Sequence, residues 1–520
     1  MESSDTRQER QEDDLRALHL KNGACAPVDA VPVHAFTSFV LWLTAAIRSG
    51  GRVASFFAVP HTSLSGKPAN LAPEQPHRIF AVLADDQKGR ISLAATDVAG
   101  QYPSLTRRIP ALHLFEREIH EQYGIVPEGH PWLKPVRFDR PDGPKIGMMD
   151  FYRVEGEEVH EVAVGPIHAG VIECGHFRFQ CLGEEVLHLE ISLGYHHRGL
   201  QNLLQQAPDK RTLPLMEAVA GDSTIAHAWA YCTIVEALAD LPLSPRGQVI
   251  RSLALELERL ANHTGDMGAL SGDVGFLPSS SYCGRLRGDW LNMTALLCGS
   301  RFGRGLVVPG GTAFDLDVEL VQELKKRIAA TGRDVLGAIA LGWHSPSVMA
   351  RLAGIGTVPE ETAVSLGLVG LPARACGLPI DARHSHPLSG LPLPPELVLG
   401  DSGDVRCRAT VRHKEIARSV SYAKRMVTEY FDDDDSRARP RNSKIAPMGD
   451  SICVCLMEGW RGEICHTAIT DSRGSFLAYR VVDPSFHNWM GLAVALRGQA
   501  ISDFPLCNKS FNLSYCGHDL

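Results

Sequence analysis

Residues 217–227 read EAVAGDSTIAH, and residues 483–488 read DPSFHN. The two segments lie far apart in the chain, and both contain small polar side chains and a histidine. Their oxygen- and nitrogen-bearing candidates for a metal are Asp222, Ser223, Ser485, His487 and Asn488. Such a set suits a hard cation weakly. Neither segment has a cysteine, so neither offers a soft thiolate ligand.

The composition is that of a protein with a substantial core and no nucleic-acid partner. The chain has 520 residues, 44% of them hydrophobic, and a net charge of -8, which predicts two to four domains and excludes a basic nucleic-acid surface. No apolar run approaches the roughly 20 residues that span a bilayer. The first residues, MESSDTRQERQEDD, do not form a signal peptide.

The 13 cysteines do not predict a disulfide framework, because they are odd in number and scattered along a long chain. Cys453 and Cys455 lie two apart on a predicted strand and therefore share one face. We interpret them as small buried hydrophobic residues. A metal site with Cys465 and His466 is the alternative, although the spacing is not that of a zinc finger.

Local composition predicts three segments: a mobile, charged tail over residues 1–27, a first domain over 28–145 and a second domain over 150–520. The Pro- and Gly-rich stretch 140–145 separates the two domains. Helices are predicted over 36–48, 248–263, 318–331 and 404–430 from apolar spacing. On the helix 248–263, Glu256, Glu258 and Arg259 are expected away from the apolar face. Strands are predicted over 53–59 and 78–83, with further short strands near 160–190 and 451–482, and a solvated loop over 432–444.

Residues 115–134 read FEREIHEQYGIVPEGHPWLK. They predict a charged helix followed by a glycine-bounded turn. The segment resembles the signature of the C-type subunit of respiratory complex I, with Glu121 in the slot of the usual aspartate. We interpret it as a structural docking loop and give His130 no catalytic role.

Residues 164–179, VGPIHAGVIECGHFRF, and 194–204, GYHHRGLQNLL, are similar to the opening of the D-type subunit of complex I and of membrane-bound hydrogenase large subunits. Further matching motifs follow in the same order as in that family. They are ELERLANH at 256–263, DVGF at 273–276, GSRF at 299–302, RACG at 374–377 and EGWRGE at 458–463. The resemblance covers about residues 28–520. It is to the fused C–D large subunit of group 4, formate-hydrogenlyase-type nickel-iron hydrogenases, in a branch without the metal ligands.

The resemblance implies an α+β, C-subunit-like N-terminal domain followed by a mainly α domain with a small β region. In that family, segments 217–227 and 483–488 each supply a cysteine pair. The four corresponding positions here are Ala220, Ser223, Ser485 and Asn488. We therefore do not expect nickel-iron binding. Many hydrogenases remove the tail after the last cysteine once metal is loaded, so the resemblance implies that here the tail stays and fills the vacated space.

The resemblance also suggests functional residues. His168 lies in the loop that reaches toward the quinone headgroup in complex I, and an imidazole can protonate a reduced quinone; the alternative is that His168 only shapes the loop. His176 is a second candidate for binding the cofactor. Arg461, His227 and Asp483 are the remaining catalytic candidates. Arg461 takes the place of an arginine that lies beside the iron's diatomic ligands in hydrogenases.

The predicted function is that of an oxidoreductase subunit active only within a complex, passing electrons from a partner iron–sulfur subunit to quinone or another acceptor with proton coupling. The implied partners are a complex I B-subunit-like protein and antiporter-like membrane subunits, and the implied location is peripheral, on the cytoplasmic face of the inner membrane. No G-x-G-x-x-G motif indicates nicotinamide binding by this chain. The alternatives are a genuine formate hydrogenlyase-type hydrogenase subunit and a non-catalytic scaffold.

Overall fold

The structure is a computed structural model that describes residues 16–64, 72, 74–140, 142–170, 172–206, 208–431 and 445–520. The predicted loop 432–444 and the first part of the predicted tail lie outside the described residues. The strands are β1 (Leu18–Leu20), β2 (Cys25–Pro27), β3 (Val33–His34), β4 (Gly51–Pro60), β5 (His77–Asp85), β6 (Arg90–Val98), β7 (Gln101–Pro103), β8 (Val126–Glu128), β9 (Val159–Val164), β10 (His176–Leu182), β11 (Glu185–Ser192), β12 (Val307–Val308), β13 (Gly311–Thr312), β14 (Ser451–Glu458), β15 (Glu463–Thr470) and β16 (Phe476–Val482).

The α-helices are α1 (Phe36–Arg48), α2 (His61–Leu64), α3 (His113–Tyr123), α4 (Leu200–Leu203), α5 (Thr212–Glu217), α6 (Thr224–Leu238), α7 (Pro245–Asp273), α8 (Leu277–Cys298), α9 (Val318–Trp343), α10 (Pro346–Leu352), α11 (Glu360–Leu366), α12 (Gly370–Ala375), α13 (Ala382–Ser385), α14 (Val405–Glu429), α15 (Pro484–Ala495), α16 (Phe504–Phe511) and α17 (Tyr515–Asp519). Short 3-10 turns add Val28–Ala30, Pro110–Leu112 and Ile501–Asp503. The predicted helices and strands are present, and α7 and α9 extend well beyond the predicted ranges.

The N-terminal half is built on a sheet of strand order β1–β6–β5–β4, with β3 paired in parallel to β6. The long strands β4 and β5 are rich in Phe, Val and Ala, which fit a pleated buried surface. Helices α1 and α3 pack on this sheet. Helix α3 ends at Gly124, whose φ of 72° is the left-handed conformation that glycine adopts readily. The predicted α+β N-terminal fold is confirmed.

The segment predicted as a mobile tail differs from that prediction over its second half. Strand β1 pairs with β6 of the N-terminal sheet. Strand β2 pairs with β14, more than 400 positions further along the chain. Short strands of this kind have a weak sequence signal, because their partners and not their own propensity hold them in place.

The second half combines a helical layer with the sheet β16–β15–β14–β2. Helices α7, α8, α9 and α14 pack against one another. In strand β14, Cys453 and Cys455 belong to the core of the helical half, whereas Ile452, Val454 and Leu456 belong to the core of the N-terminal half. Because strand side chains alternate between faces, this sheet is the layer on which both cores are built. The mainly α second half with a small β region is confirmed.

Helix α7 corrects one sequence expectation. Glu256, Glu258 and Arg259, expected away from its apolar face, are buried. The helix is covered on all sides, by α8, by α14 and by the loop after β14. Apolar periodicity identifies the helix, but it does not reveal that the polar face is buried against other charged groups.

Candidate functional site

The two opening segments meet in the folded chain, at the start of α6 and the start of α15. Asp483 caps α15: its Oδ1 accepts a hydrogen bond from the Ser485 amide at 2.8 Å, and Pro484 occupies the first helical position. Ser223 holds the corresponding position before α6. All four altered positions are buried: Ala220 lies in the turn between α5 and α6, Ser223 directly before α6, and Ser485 and Asn488 within the first five residues of α15.

The polar groups at these positions bond to the protein itself. Ser485 Oγ accepts from the Ser514 amide at 2.8 Å. Asn488 holds the backbone of Val369 with both ends of its amide, at 3.0 and 3.1 Å. Ser223 Oγ accepts from Arg461 at 3.4 Å. A methyl group, two engaged hydroxyls and an engaged amide do not fit a nickel–thiolate centre.

Arg461 lies beside the first segment and is fixed by it. Its two terminal nitrogens donate to both carboxylate oxygens of Asp222, at 2.6 and 2.7 Å. Its guanidinium lies 4.0 Å from the centre of the Trp460 ring, and its Nε donates to the carbonyl of Asn512 at 2.6 Å. Burial opposes its charge, but the neighbouring Asp222 raises the Arg461 pKa. Arg461 is therefore a fixed cation in the wall of the site.

His227 joins the two segments directly. Its Nε2 lies 3.2 Å from Asp483 Oδ2, and its Nδ1 lies 3.1 Å from Nε2 of His466. His466 Nδ1 in turn lies 2.9 Å from the Tyr479 hydroxyl. Burial raises the Asp483 pKa, but the hydrogen bond and charge of His227 outweigh it, so that the pKa is lowered overall. The result is a continuous buried row of titratable groups: Asp483, His227, His466 and Tyr479.

Two members of this site are not predicted from the sequence. His466 is there a candidate metal ligand with the cysteines, whereas burial and the neighbouring His227 lower the His466 pKa well below its usual range. Glu258 is there expected only to lie away from the apolar face of α7. Glu258 Oε2 accepts from the Ile225 amide at 2.8 Å, and Oε1 has no hydrogen-bond partner among the described residues. Burial raises the pKa of Glu258 to about 8, and no local sequence signal reveals it.

The segment 512–520 covers this site, and we name it the C-terminal cover. It contributes the Ser514 amide to Ser485 and the Asn512 carbonyl to Arg461. Gly517 lies against Asp483: an added Cβ would be 2.7 Å from the carboxyl carbon. Asp519 accepts from the amides of Gly194 and His196, at 2.9 and 2.8 Å. The C-terminal cover thus lies beside Ser485 and Arg461.

His168 and His176 lie on the β9–β10 hairpin, apart from the other candidates. His168 Nε2 donates to the Gly175 carbonyl at 2.9 Å. The His176 ring lies 3.3 Å from Arg178 and 5.1 Å from the Phe151 ring, and burial lowers its pKa. No hydrogen bond, ion pair or ring contact in the described residues joins His168 to Arg461, His227 or Asp483. The C-terminal cover links them indirectly, because the Cys516 amide donates to Glu173 of the hairpin at 3.2 Å.

A second buried charge cluster lies behind the site. Arg374 pairs with Glu458 at 2.7 Å and with Glu415 at 2.9 Å, and Arg383 pairs with Asp381 and Glu256 at 2.7 and 3.0 Å. These groups come from α7, α12, α13, α14 and β14, so they tie the helical layer to the central sheet. We interpret the cluster as structural, because its guanidinium and carboxylate groups pair with one another and not with a ligand.

Among the described residues, no group of three or more His, Cys, Asp or Glu side chains is arranged to hold a metal ion. Cys453, Cys455 and Cys465 are buried, and burial raises the pKa of the Cys455 thiol to about 12. A thiolate ligand at that position is disfavoured. Within the same part of the chain, none of the helices has the length and apolarity that crossing a membrane requires.

Comparison with known proteins defines the class of this fold. Two family models match: the 30-kDa subunit of respiratory-chain NADH dehydrogenase over residues 64–143, and its 49-kDa subunit over residues 273–453. The chain therefore fuses a 30-kDa-type and a 49-kDa-type domain of complex I. It belongs to the group 4 hydrogenase-like family.

Curated relatives come from both sides of this family. Formate hydrogenlyase subunit 5 of Escherichia coli is 29% identical over 80% of this chain and 76% of that protein. The carbon monoxide-induced hydrogenase of Rhodospirillum rubrum is 29% identical over 68% of this chain and 97% of that protein. NADH-quinone oxidoreductase subunit 4 of Thermus thermophilus is 29% identical over 66% and 90%.

A solved structure supports the fold. A chain of the membrane-bound sulfane sulfur reductase, an archaeal respiratory membrane complex, superposes with a TM-score of 0.65 at 19% identity. The match covers 71% of this chain and all of that one. At this identity the likeness concerns the fold alone.

Proposed function

We propose that the chain is the large subunit of a membrane-associated oxidoreductase complex related to complex I and to group 4 hydrogenases. In this proposal it passes electrons from an iron–sulfur cluster in a partner subunit to quinone or another acceptor, with proton coupling. One observation carries the proposal. The thiolate positions are replaced, while a buried set of titratable groups, His227, Asp483 and Glu258, surrounds them.

Nickel-iron chemistry is not part of the proposal. This exclusion is supported by the hydrogen bonds that Ser223, Ser485 and Asn488 make within the chain and by the methyl group of Ala220, which offers no ligand atom. We therefore derive no step through nickel or iron in this chain.

The proton side of the proposal rests on Glu258 and His168. Because burial raises the pKa of Glu258 to about 8, its carboxyl is protonated at neutral pH and can release a proton beside the first segment. The Nε2 hydrogen of His168 is held by the Gly175 carbonyl, so Nδ1 is the ring nitrogen left to contact an acceptor. Reduction of a quinone to a quinol consumes two electrons, which would come from the partner's iron–sulfur cluster. It also consumes two protons, which Glu258 and His168 would help to supply.

The partner side rests on the β9–β10 hairpin. Ile167 and Ile172, which flank His168 on its loop, are 74% and 50% exposed. Exposed apolar side chains at the tip of a hairpin indicate contact with another subunit or with an acceptor. We propose a complex I B-subunit-like iron–sulfur protein and antiporter-like membrane subunits as partners, with the chain peripheral on the cytoplasmic face. The membrane-associated setting is supported by the solved relative, which belongs to a respiratory membrane complex, and by the relative that is a subunit of an NADH-quinone oxidoreductase.

We also propose that residues 28–145 and 150–520 are two domains. The N-terminal core contains Ile452, Val454 and Leu456 of β14, so the domains would share one interior surface and would not unfold independently.

The first test measures metal and hydrogen chemistry in the intact complex, purified from its own host. We expect no stoichiometric nickel by elemental analysis and no hydrogen-dependent reduction of viologen. Stoichiometric nickel with hydrogen uptake would instead establish the hydrogenase alternative.

The second test replaces His168 with glutamine and measures quinone reduction by the intact complex. We expect at least a tenfold lower rate for His168→Gln at neutral pH. His160→Gln is the matched control, because His160 lies exposed on β9 of the same hairpin. Equal rates for the two variants would remove His168 from proton transfer.

A scaffold without catalysis is the second candidate, and the C-terminal cover favours it, because the cover and the protein's own hydrogen bonds use the groups of the site. The candidates differ in their response to Glu258→Gln. If the assembled complex keeps its full rate of acceptor reduction with this variant, the scaffold is favoured. If assembly is normal and the rate falls, the electron-transfer function is favoured.

A further inference from the structure

A cleft of about 470 Å³ lies on the far side of α15, between the N-terminal half and the helical half. Its walls come from α3, from segments 130–138 and 147–152, from β11 and from α15. The volume falls in the range of small-molecule sites, roughly 300–1,000 Å³. The His227–Asp483 group does not line this cleft, so the function proposed above does not use it.

Most of the cleft wall is apolar. Leu114 and Leu189 line it from α3 and β11, and Trp489, Met490 and Val494 line it from α15. The Trp489 indole N–H is buried without a hydrogen-bond partner among the described residues. An apolar chain or ring system fits such a wall, because its transfer from water is favourable.

The charged side chains of the cleft are mainly cationic. Arg117, Lys134 and Arg497 line it, and Glu190 is the one carboxylate among its lining residues in the described chain. Glu190 is already neutralised: it pairs with Lys134 at 2.6 Å and accepts from the Tyr152 amide at 2.7 Å. The cleft therefore has an excess of positive charge.

Arg117 is the centre of that excess. Its Nε and one terminal nitrogen donate to the carbonyls of Lys134 and Pro135, at 2.7 and 2.9 Å. Its other terminal nitrogen has no hydrogen-bond partner, and the guanidinium has no ion-pair partner, among the described residues. Burial lowers the Arg117 pKa to about 10. Glu121 and Glu190 act on Arg117 electrostatically without forming an ion pair with it. A half-buried guanidinium that lacks a directly paired carboxylate is stabilised when a carboxylate or phosphate binds to it.

We propose that this cleft binds an amphipathic anion, with its apolar part against α15 and its carboxylate or phosphate on Arg117. Four histidines line the cleft, and two of them, His113 and His188, reinforce this choice. Burial lowers the pKa of both, so at neutral pH they are uncharged rings that can donate to an anion without adding charge. Lys134 lies over the Trp132 ring at 4.3 Å and marks the rim.

The direct test measures displacement of a fluorescent carboxylate probe, 11-(dansylamino)undecanoic acid, from the full-length chain in a sugar-headed nonionic detergent. Dodecanoate, dodecanol and dodecyltrimethylammonium are the competitors, because they share one chain length and differ in charge. We expect dodecanoate to displace the probe at least tenfold more effectively than the other two. Equal displacement by dodecanol and dodecanoate would overturn the proposal.

Two variants locate the site. Arg117→Gln should weaken dodecanoate binding at least tenfold and leave dodecanol unchanged, whereas Arg211→Gln removes an equal charge at a position with an 85% exposed side chain and should change nothing. Ala493→Trp fills the cleft from α15 and should abolish binding of all the competitors with Arg117 intact. Undiminished binding in Ala493→Trp would place the ligand elsewhere and overturn the proposal, even if Arg117→Gln failed to fold.

The source of the anion is decided by a further pair of competitors. Free dodecanoate and an anionic phospholipid presented in nanodiscs carry the same kind of headgroup charge on an apolar chain. Displacement by dodecanoate alone assigns the cleft to a free carboxylate, and displacement by the nanodisc lipid assigns it to a lipid headgroup. Failure of both would overturn the proposal.

Discussion

Helix α15 borders two regions with opposite character. At its N-terminus, Asp483, Ser485 and Asn488 are buried and hydrogen-bonded, and the C-terminal cover closes the site. Along its other face, Trp489, Met490 and Val494 line an open cleft in which Arg117 has no direct ion-pair partner among the described residues. The first region resembles a metal site in outline but is filled by the chain's own groups. The second is lined in part by the motif at 115–134, which the sequence predicts only as a docking loop, and it still has room for a ligand. Similarity to a family therefore locates the position of the family's metal site. Buried polar groups without a partner indicate where a ligand can bind in this chain.

We call the site at the N-terminus of α15 the closed region and the cleft the open region. Removing the C-terminal cover tests the contrast between them most directly. A chain ending at Phe511 lacks the C-terminal cover and exposes the surface that buries Leu513, Tyr515 and Leu520. We expect the free energy of unfolding to fall by about 5 kcal/mol, from three buried side chains at roughly 1.5–3 kcal/mol each. Chemical denaturation measures the change. A chain of unchanged stability would mean that the cover is not part of the core.

Asp483→Asn keeps the helix cap but removes the charge that faces His227 and Arg461. Breaking a buried pair in this way costs about 3–5 kcal/mol. The folded Asp483 pKa is lowered, so its stabilisation is present above the unfolded pKa near 3.9 and is lost as the pH falls through the folded value. The difference between wild type and variant should therefore shrink below about pH 4. Asp209→Asn, at an exposed position, is the control; a pH-independent difference would contradict the assignment.

Glu258→Gln tests the proton-binding group of the closed region. The folded pKa of Glu258 is raised to about 8, above an unfolded value near 4.3. Its stabilising protonation is complete below the unfolded pKa and is lost as the pH rises through the folded value. Wild type should thus lose roughly 2–4 kcal/mol between pH 5 and pH 8 from this group, and the variant should not. Parallel denaturation curves against pH for the two proteins would contradict the prediction.

The smallest effect is expected at the open region. Trp132 lies on the rim of the cleft and is 37% exposed. Trp132→Ala should lower the free energy of unfolding by less than about 1 kcal/mol, because it removes no buried contact of the core. Thermal unfolding followed by circular dichroism measures this. A loss as large as that of Asp483→Asn would show that the cleft is as tightly packed as the closed region, and the contrast between the two regions would disappear.

Much of the fold could be predicted from local pattern. The apolar spacing in α7 and α14, and the Phe- and Val-rich strands β4 and β5, identify these elements. Strands β1 and β2 could not be predicted, because three-residue strands depend on partners remote in sequence. The burial of Glu256, Glu258 and Arg259 was missed for the same reason: it depends on what packs against the charged face of α7.

The sequence by itself determined the family and the loss of the thiolates, because ordered motifs and residue identities are properties of the chain. It also predicted that the tail after Asn488 would stay. Only the tertiary structure decided that His227 meets both Asp483 and His466, and that His168 lies on a separate hairpin. It alone revealed the cleft around Arg117. Such features depend on which groups lose water together and which partners reach them, and that follows from packing and not from spacing along the chain.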